Sequence, residues 1–353
     1  MGNRIKWLDI AKGMGIVSVF WGHTLFKDEI WRIWIYSFHM PLFFFLSGIT
    51  YNEIKYDKIK KLLIAKSKSI LIPYIVLCAI ELIDSFLTLL YKSFYGEKNT
   101  CFILIKKIIG IIIGLRGTDW YCAFWFLLCI FVVYVFMYVI INSVRKIKLY
   151  SIKIGVFCGS VFMATGGIVY ARLRLPYLPW AIDIALVAVF FTALGWETKM
   201  LFVNRIDSKL MLLFAVGSIG FSLLNYYRSG VSIDMYSNRY GYSIFFVLSA
   251  VFGISFVIAV AQRINGRWGG ILEHIGKNSL YYYGVNVLTL KIVGILTFGL
   301  LNDGGSECVV LMKCLVKVVL AIGISSMFLP GFNMARNFLL DIIKKMEKRS
   351  KIK

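Results

Sequence analysis

Charge is what this sequence has little of. Only 16% of its 353 residues are Asp, Glu, Lys or Arg, and 59% are apolar, whereas soluble domains carry about 25% charged residues. That balance excludes an ordinary soluble domain. The apolar residues come in long blocks, and a run of about 18 or more crosses roughly 30 Å of hydrocarbon as a helix. Ten-residue alternation of the barrel kind is missing. Helices, which satisfy their own backbone groups in lipid, are therefore the expected form. Acidic residues are scarce too: 18 against 40 Lys and Arg, for a net charge of +22. There is no zinc-finger spacing and no isolated basic domain, so this excess reads as basic loops facing anionic lipid rather than nucleic-acid binding. The seven cysteines lack CxxC spacing and a compact disulfide framework. They read as packing residues, with Cys101 and Cys122 the one pair sharing an external segment. No small-residue cleavage site follows Arg4 and Lys6, and Lys12 and His23 interrupt the first apolar run, so that run is a retained helix.

What is there is a series of apolar blocks at about 8–26, 32–50, 69–91, 122–142, 154–171, 179–198, 210–227, 242–262, 279–300 and 308–330. The stretch 102–115 is apolar but short and divided by Lys106 and Lys107, which suits an interfacial or re-entrant helix. With the N-terminus inside, 26 of the 40 Lys and Arg fall on the cytoplasmic side and 11 outside, and Lys291, Lys313 and Lys317 lie within spans. Counting 102–115 as a span would put the basic cluster at 145–153 outside and erase that asymmetry. The expectation is an all-α polytopic membrane protein of about ten transmembrane helices, one domain over 1–353, with both termini cytoplasmic. No soluble domain, linker, low-complexity tract or transporter-like internal repeat interrupts it.

Ionisable groups within spans are costly and mark functional candidates. The first span carries Asp9, Lys12 and His23. Lys12 and His23 are eleven residues apart, within ~20° of one helix face and roughly 16 Å apart along the axis. A cation at the cytoplasmic mouth suits a donor's phosphates, and an imidazole deeper in suits proton abstraction from a hydroxyl. The competing reading has Lys12 snorkelling to headgroups and His23 hydrogen-bonded within the bundle; the residues alone leave the two level. The second span adds His39, then Pro41 and Gly48, which suggest a kink or break lining a cavity; Ser47 and Gly48 also suit plain helix packing. Lys66 and Lys68 precede the third span as positive-inside anchors. Trp120, Tyr121 and Trp125 enter the fourth as an interfacial belt. Asp183 opens the sixth as a buried-carboxylate candidate, and Asn278 or Ser279 is placed to cap the ninth.

Together these segments resemble the acyltransferase 3 family, and within it the fucose 4-O-acetylase-like and O-antigen-acetylase-like proteins. The matching text is LDIAKG at 8–13 with His23, FHMPLFFFLSG at 38–48, LIPY at 71–74, WFL at 125–127, LPWAIDIAL at 178–186 and IGKNSL at 275–280. The resemblance implies ten spans in the cell membrane. It implies transfer of an acyl group, usually acetyl from acetyl-CoA, to a hydroxyl of a surface polysaccharide or lipid-linked sugar, with no resident cofactor or metal. It makes His23 the counterpart of the family's essential histidine, with Lys12 and Asp9 beside it in the catalytic set. His39, Ser47, Lys66, Lys68, Trp125, Asp183 and Asn278 become donor- or acceptor-binding candidates. Two departures stand out: lysines replace the arginines usual before the third span, and Asn286 stands where relatives often have histidine. A sugar or lipid transporter or flippase, or an inactive relative, is the alternative.

Overall fold

The computed structural model describes residues 5–94, 100–117, 124–147, 151–202, 204–297 and 307–350. Residues 118–123, with Trp120, Tyr121 and Cys122, lie outside that range, as does the side chain of Cys101. Among the described residues the chain is helical, with a single isolated β-bridge between Asp234 and Arg239. The helices are α1 (Lys6–Thr24), α2 (Ile30–Ile49), α3 (Ile59–Lys66), α4 (Ile72–Phe94), α5 (Thr100–Ile113), α6 (Trp125–Ile147) and α7 (Ile152–Arg172). They continue as α8 (Ile182–Thr198), α9 (Ser208–Ser229), α10 (Ser243–Ala261), α11 (Gly266–Lys277), α12 (Ser279–Leu296) and α13 (Glu307–Ser350).

Eight helical segments among the described residues are long and apolar enough to cross a membrane: 59–90, 125–147, 152–172, 179–202, 208–229, 243–261, 279–296 and 308–346. These correspond to the last eight of the ten expected blocks. The first two, α1 and α2, have 19 and 20 residues, enough to span, but are more polar than the eight. Their position explains why. α1 packs on α2, α10, α11, α12 and α13, and α2 on α8, α9 and α10, so both run through the bundle rather than along lipid. An inner helix can carry polar groups that lipid would reject. α9, by contrast, buries only 17% of its apolar window, against 67% in 179–202, and faces outward. The apolar stretch near 102–115 is the 14-residue α5, which is not among the eight. It packs on α4, and its last turn is tied to the bundle by the Tyr74 hydroxyl on the Ile111 carbonyl (2.7 Å) and the Trp180 indole on that of Ile112 (3.2 Å).

Several boundaries moved. α3 and α4 join through a π-helical turn at Ser67–Leu71, so the third helix starts ten residues before its apolar block. α13 continues through Pro330 for 44 residues, about 66 Å at 1.5 Å per residue, longer than the roughly 40–45 Å of a whole bilayer. α2 is likewise unbroken at Pro41. Gly48 serves contact instead: a Cβ there would overlap the Thr192 carbonyl oxygen, and one at Gly195 would overlap that of Phe45. The backbones of α2 and α8 therefore touch, the close approach that small residues permit in membranes. α1 and α11 cross the same way, through Gly13 and Gly276.

Candidate active site

α1, α2, α4, α6 and α12 leave between them a cavity of about 510 Å³. His23, in the last turn of α1, and His39, at the middle of α2, both line it. His39 is buried, and its Nδ1 lies 2.8 Å from the Ile35 carbonyl oxygen. A carbonyl only accepts, so Nδ1 carries the proton, and the neutral ring keeps Nε2 as a lone-pair acceptor. The Tyr36 ring packs against it at 4.9 Å between centroids. His23 is the more accessible of the two, and no hydrogen bond holds it among the described residues. One imidazole is thus tied to its own helix by a hydrogen bond and the other is not.

Charged groups surround this pair. Arg32 lies over the Tyr36 ring at 4.1 Å. Glu81 and Asp84 come from α4, the latter paired with Lys291 of α12 at 3.1 Å. Asp234 and Tyr236 close the cavity from the segment between α9 and α10. The sequence motifs do not mark these residues as site candidates. Glu81 and Asp84 carried a usable signal, since both sit within the third apolar block. Asp234 lies in a loop and carried none.

Asn286 also lines the cavity and is buried. Its amide nitrogen donates to the Tyr283 carbonyl oxygen, which fixes the flip of the amide, and its Oδ1 has no partner. An orphaned acceptor at a cavity wall is a place for a ligand's N–H or O–H. Trp125 forms part of the same wall, its ring 6.2 Å from that of Tyr236.

The remaining candidates lie elsewhere. Asp183 is fully buried at the start of α8 and pairs with Arg116, itself fully buried. Arg116 also donates to the Tyr236 carbonyl, and Asn238 donates to Asp183 Oδ2 at 2.6 Å. The pair therefore clamps the 230–241 segment whose Asp234 and Tyr236 face the cavity. Left-handed backbone at Trp180 and Ala181 turns the chain into α8 just ahead of it. Ser47 donates to the Phe44 carbonyl at 2.6 Å. It lies beside the Tyr134 hydroxyl, and the Lys66 ammonium sits 3.3 Å from the centre of the Tyr134 ring. Ser47 and Lys66 thus both touch Tyr134 of α6. Lys12 and Asp9 form a pair at 4.0 Å near the start of α1. Lys68 falls in the π-helical turn, outside the cavity. Asn278 is the N-cap of α12 but makes no side-chain cap there; its amide donates back to His274 O at 3.0 Å, capping the end of α11 instead. No group of three or more His, Cys, Asp or Glu among the described residues could hold a metal.

The sequence matches the acyltransferase 3 family, described as an acyltransferase domain, over residues 5–330. The chain belongs to that family. It is an acyltransferase, and its apolar helices make it a multi-pass membrane protein. No curated protein and no solved structure matches it.

Proposed function

We propose that this acyltransferase moves an acetyl group from acetyl-CoA to a hydroxyl of a cell-surface polysaccharide or lipid-linked sugar, at the plasma membrane, with both termini cytoplasmic. The observation that carries the reading is the meeting of His23, His39 and the free Oδ1 of Asn286 on one cavity. His23 removes the proton as the acceptor oxygen attacks the thioester carbonyl. The C–S bond then breaks, and the imidazolium returns that proton to the leaving CoA thiolate, giving an O-acetyl ester and free CoA. His39 Nε2 and Asn286 Oδ1 accept hydrogen bonds that orient the substrates. Lys12 lies roughly 16 Å along α1 from His23, a separation that an elongated donor would bridge with its phosphates towards Lys12. Lys66 and Ser47, joined through Tyr134, belong to the half that this topology makes cytoplasmic. Asp183 acts as a positioning residue through Arg116 and the 230–241 segment.

Mass spectrometry of surface glycans from cells with and without the gene tests this. Loss of acetyl-sized mass increments in the deletion is the expected result. An unchanged acetylation pattern together with a lost export of the glycan itself would favour a transporter.

A further inference from the structure

The 230–241 segment has two sides. One closes the cavity of His23 and His39. The other forms a wall of a second, larger cleft of about 930 Å³. Opposite that wall stand the end of α7 with the turn that follows it, and the turn between α1 and α2. The two spaces differ in charge. The His23 cavity is lined by three carboxylates and two cations, whereas the second cleft has four cations, Lys27, Arg172, Arg174 and Arg239, and one carboxylate, Asp28. Asp28 is already engaged by the Tyr226 hydroxyl at 3.2 Å. Among the described residues Arg172 reaches only the Ser243 hydroxyl, at 3.3 Å. Lys27, Arg174 and Arg239 have no ion-pair partner among the described residues.

The cleft is also held in shape. Asn225 accepts from the Tyr242 N–H and donates to the Tyr240 carbonyl, both at 2.9 Å, fixing the far end of the segment. The Tyr170 hydroxyl on the Pro176 carbonyl, at 2.5 Å, fixes the opposite turn. Arg174 and Asn238 hold left-handed backbone that glycine would adopt more readily. Ser232 adds a buried hydroxyl with no partner. Tyrosines 177, 226 and 240 supply flat faces and hydroxyls between the cations.

The geometry points to this cleft as the binding site for an anionic part of the acceptor, a glycan bearing carboxylate or phosphate groups, with the neutral hydroxyl to be acylated reaching across the 230–241 segment into the His23 cavity. This rests on the proposed glycan acceptor and narrows it to an acidic one. Uncompensated cations around a polar, tyrosine-lined hollow favour such a ligand over lipid headgroups, which need only scattered basic anchors at the membrane surface.

The test is binding to purified full-length protein in phosphatidylcholine nanodiscs, with oligogalacturonate and inorganic pyrophosphate as probes and a dextran oligomer as the neutral control. The expected result is salt-sensitive binding of at least one anion and none of dextran. Arg172→Gln/Arg174→Gln/Arg239→Gln should weaken that binding by about tenfold, the scale of a few exposed charge contacts, and leave acetyl-CoA binding unchanged. Arg174→Gln and Arg239→Gln alone, both at exposed positions, should move it the same way by less. Preference for oligogalacturonate identifies a carboxylated glycan, and preference for pyrophosphate a phosphorylated one. Binding of neither anion, or equal binding by wild type and triple variant, overturns the assignment. So does a triple variant whose only defect is weaker association with phosphatidylglycerol vesicles, which would make these residues headgroup anchors. Because the readout is binding, its failure is distinguishable from failure of acyl transfer: anion binding can be lost with acetylation retained, and the reverse.

Discussion

Replacing Asp183 by Asn tests whether the Arg116–Asp183 pair is what holds the wall of the His23 cavity. Both side chains are wholly buried, and Asp183 is the one carboxylate paired with Arg116 among the described residues. Asp183→Asn keeps the volume and a carbonyl oxygen for Asn238, but strands the guanidinium. Breaking a buried pair by removing one charge costs about 3–5 kcal/mol. In a helical protein of this size that lowers the melting midpoint by about 5 °C or more. Thermal unfolding in detergent, followed by tryptophan fluorescence, reads it. Arg116→Met/Asp183→Leu removes both charges, and neutral replacement of a buried pair is often tolerated or stabilising. The double variant should therefore melt close to wild type. It should still lose activity, because the 230–241 segment no longer receives the Arg116 bond to Tyr236 or the Asn238 bond to Asp183. A fully stable Asp183→Asn protein, or a fully active double variant, would refute this reasoning.

Gly48→Ala should destabilise by about 1–3 kcal/mol, the usual cost of overpacking, because the new methyl meets the Thr192 carbonyl on a neighbouring backbone; melting of the purified variant checks it. Lys12→Ala should abolish turnover while Lys12→Arg keeps much of it, and Lys66→Ala should raise the acetyl-CoA KM more than it lowers kcat; steady-state kinetics separates these effects. A cysteine at position 146, with the seven native cysteines replaced, should react with an impermeant thiol reagent only after permeabilisation, and one at position 239 in intact cells. Labelling of 146 in intact cells would reverse the orientation.

The apolar blocks announced the helices because lipid demands a continuous apolar run, and that demand is written locally. The same rule made α1 and α2 the least obvious spans, since inner helices are free to carry His23, His39 and Arg32. The eleven-residue spacing of Lys12 and His23 gave their shared face, but nothing in one helix says which other helix comes opposite. The meeting of His23 with Asn286, and the shared contact of Ser47 and Lys66 with Tyr134, therefore needed the fold. Asp183 stood out as a carboxylate at the head of a span. Its partner, Arg116, comes from 67 residues earlier, in a segment after α5 with no periodic signal. The Gly48 and Gly276 motifs showed small residues, and only the packing of α2 on α8 and of α1 on α11 explains them as points of backbone contact.

The central claim is that His23 takes the acceptor proton, and His23→Gln tests it most directly. Glutamine keeps hydrogen-bonding capacity but cannot carry the proton. Acetyl transfer by purified wild-type and variant protein, matched for melting midpoint and acetyl-CoA binding, is the measurement. The account predicts turnover lower by about 100-fold to 10,000-fold in a folded, donor-binding protein. A folded His23→Gln protein that acetylates at near wild-type rate would contradict it.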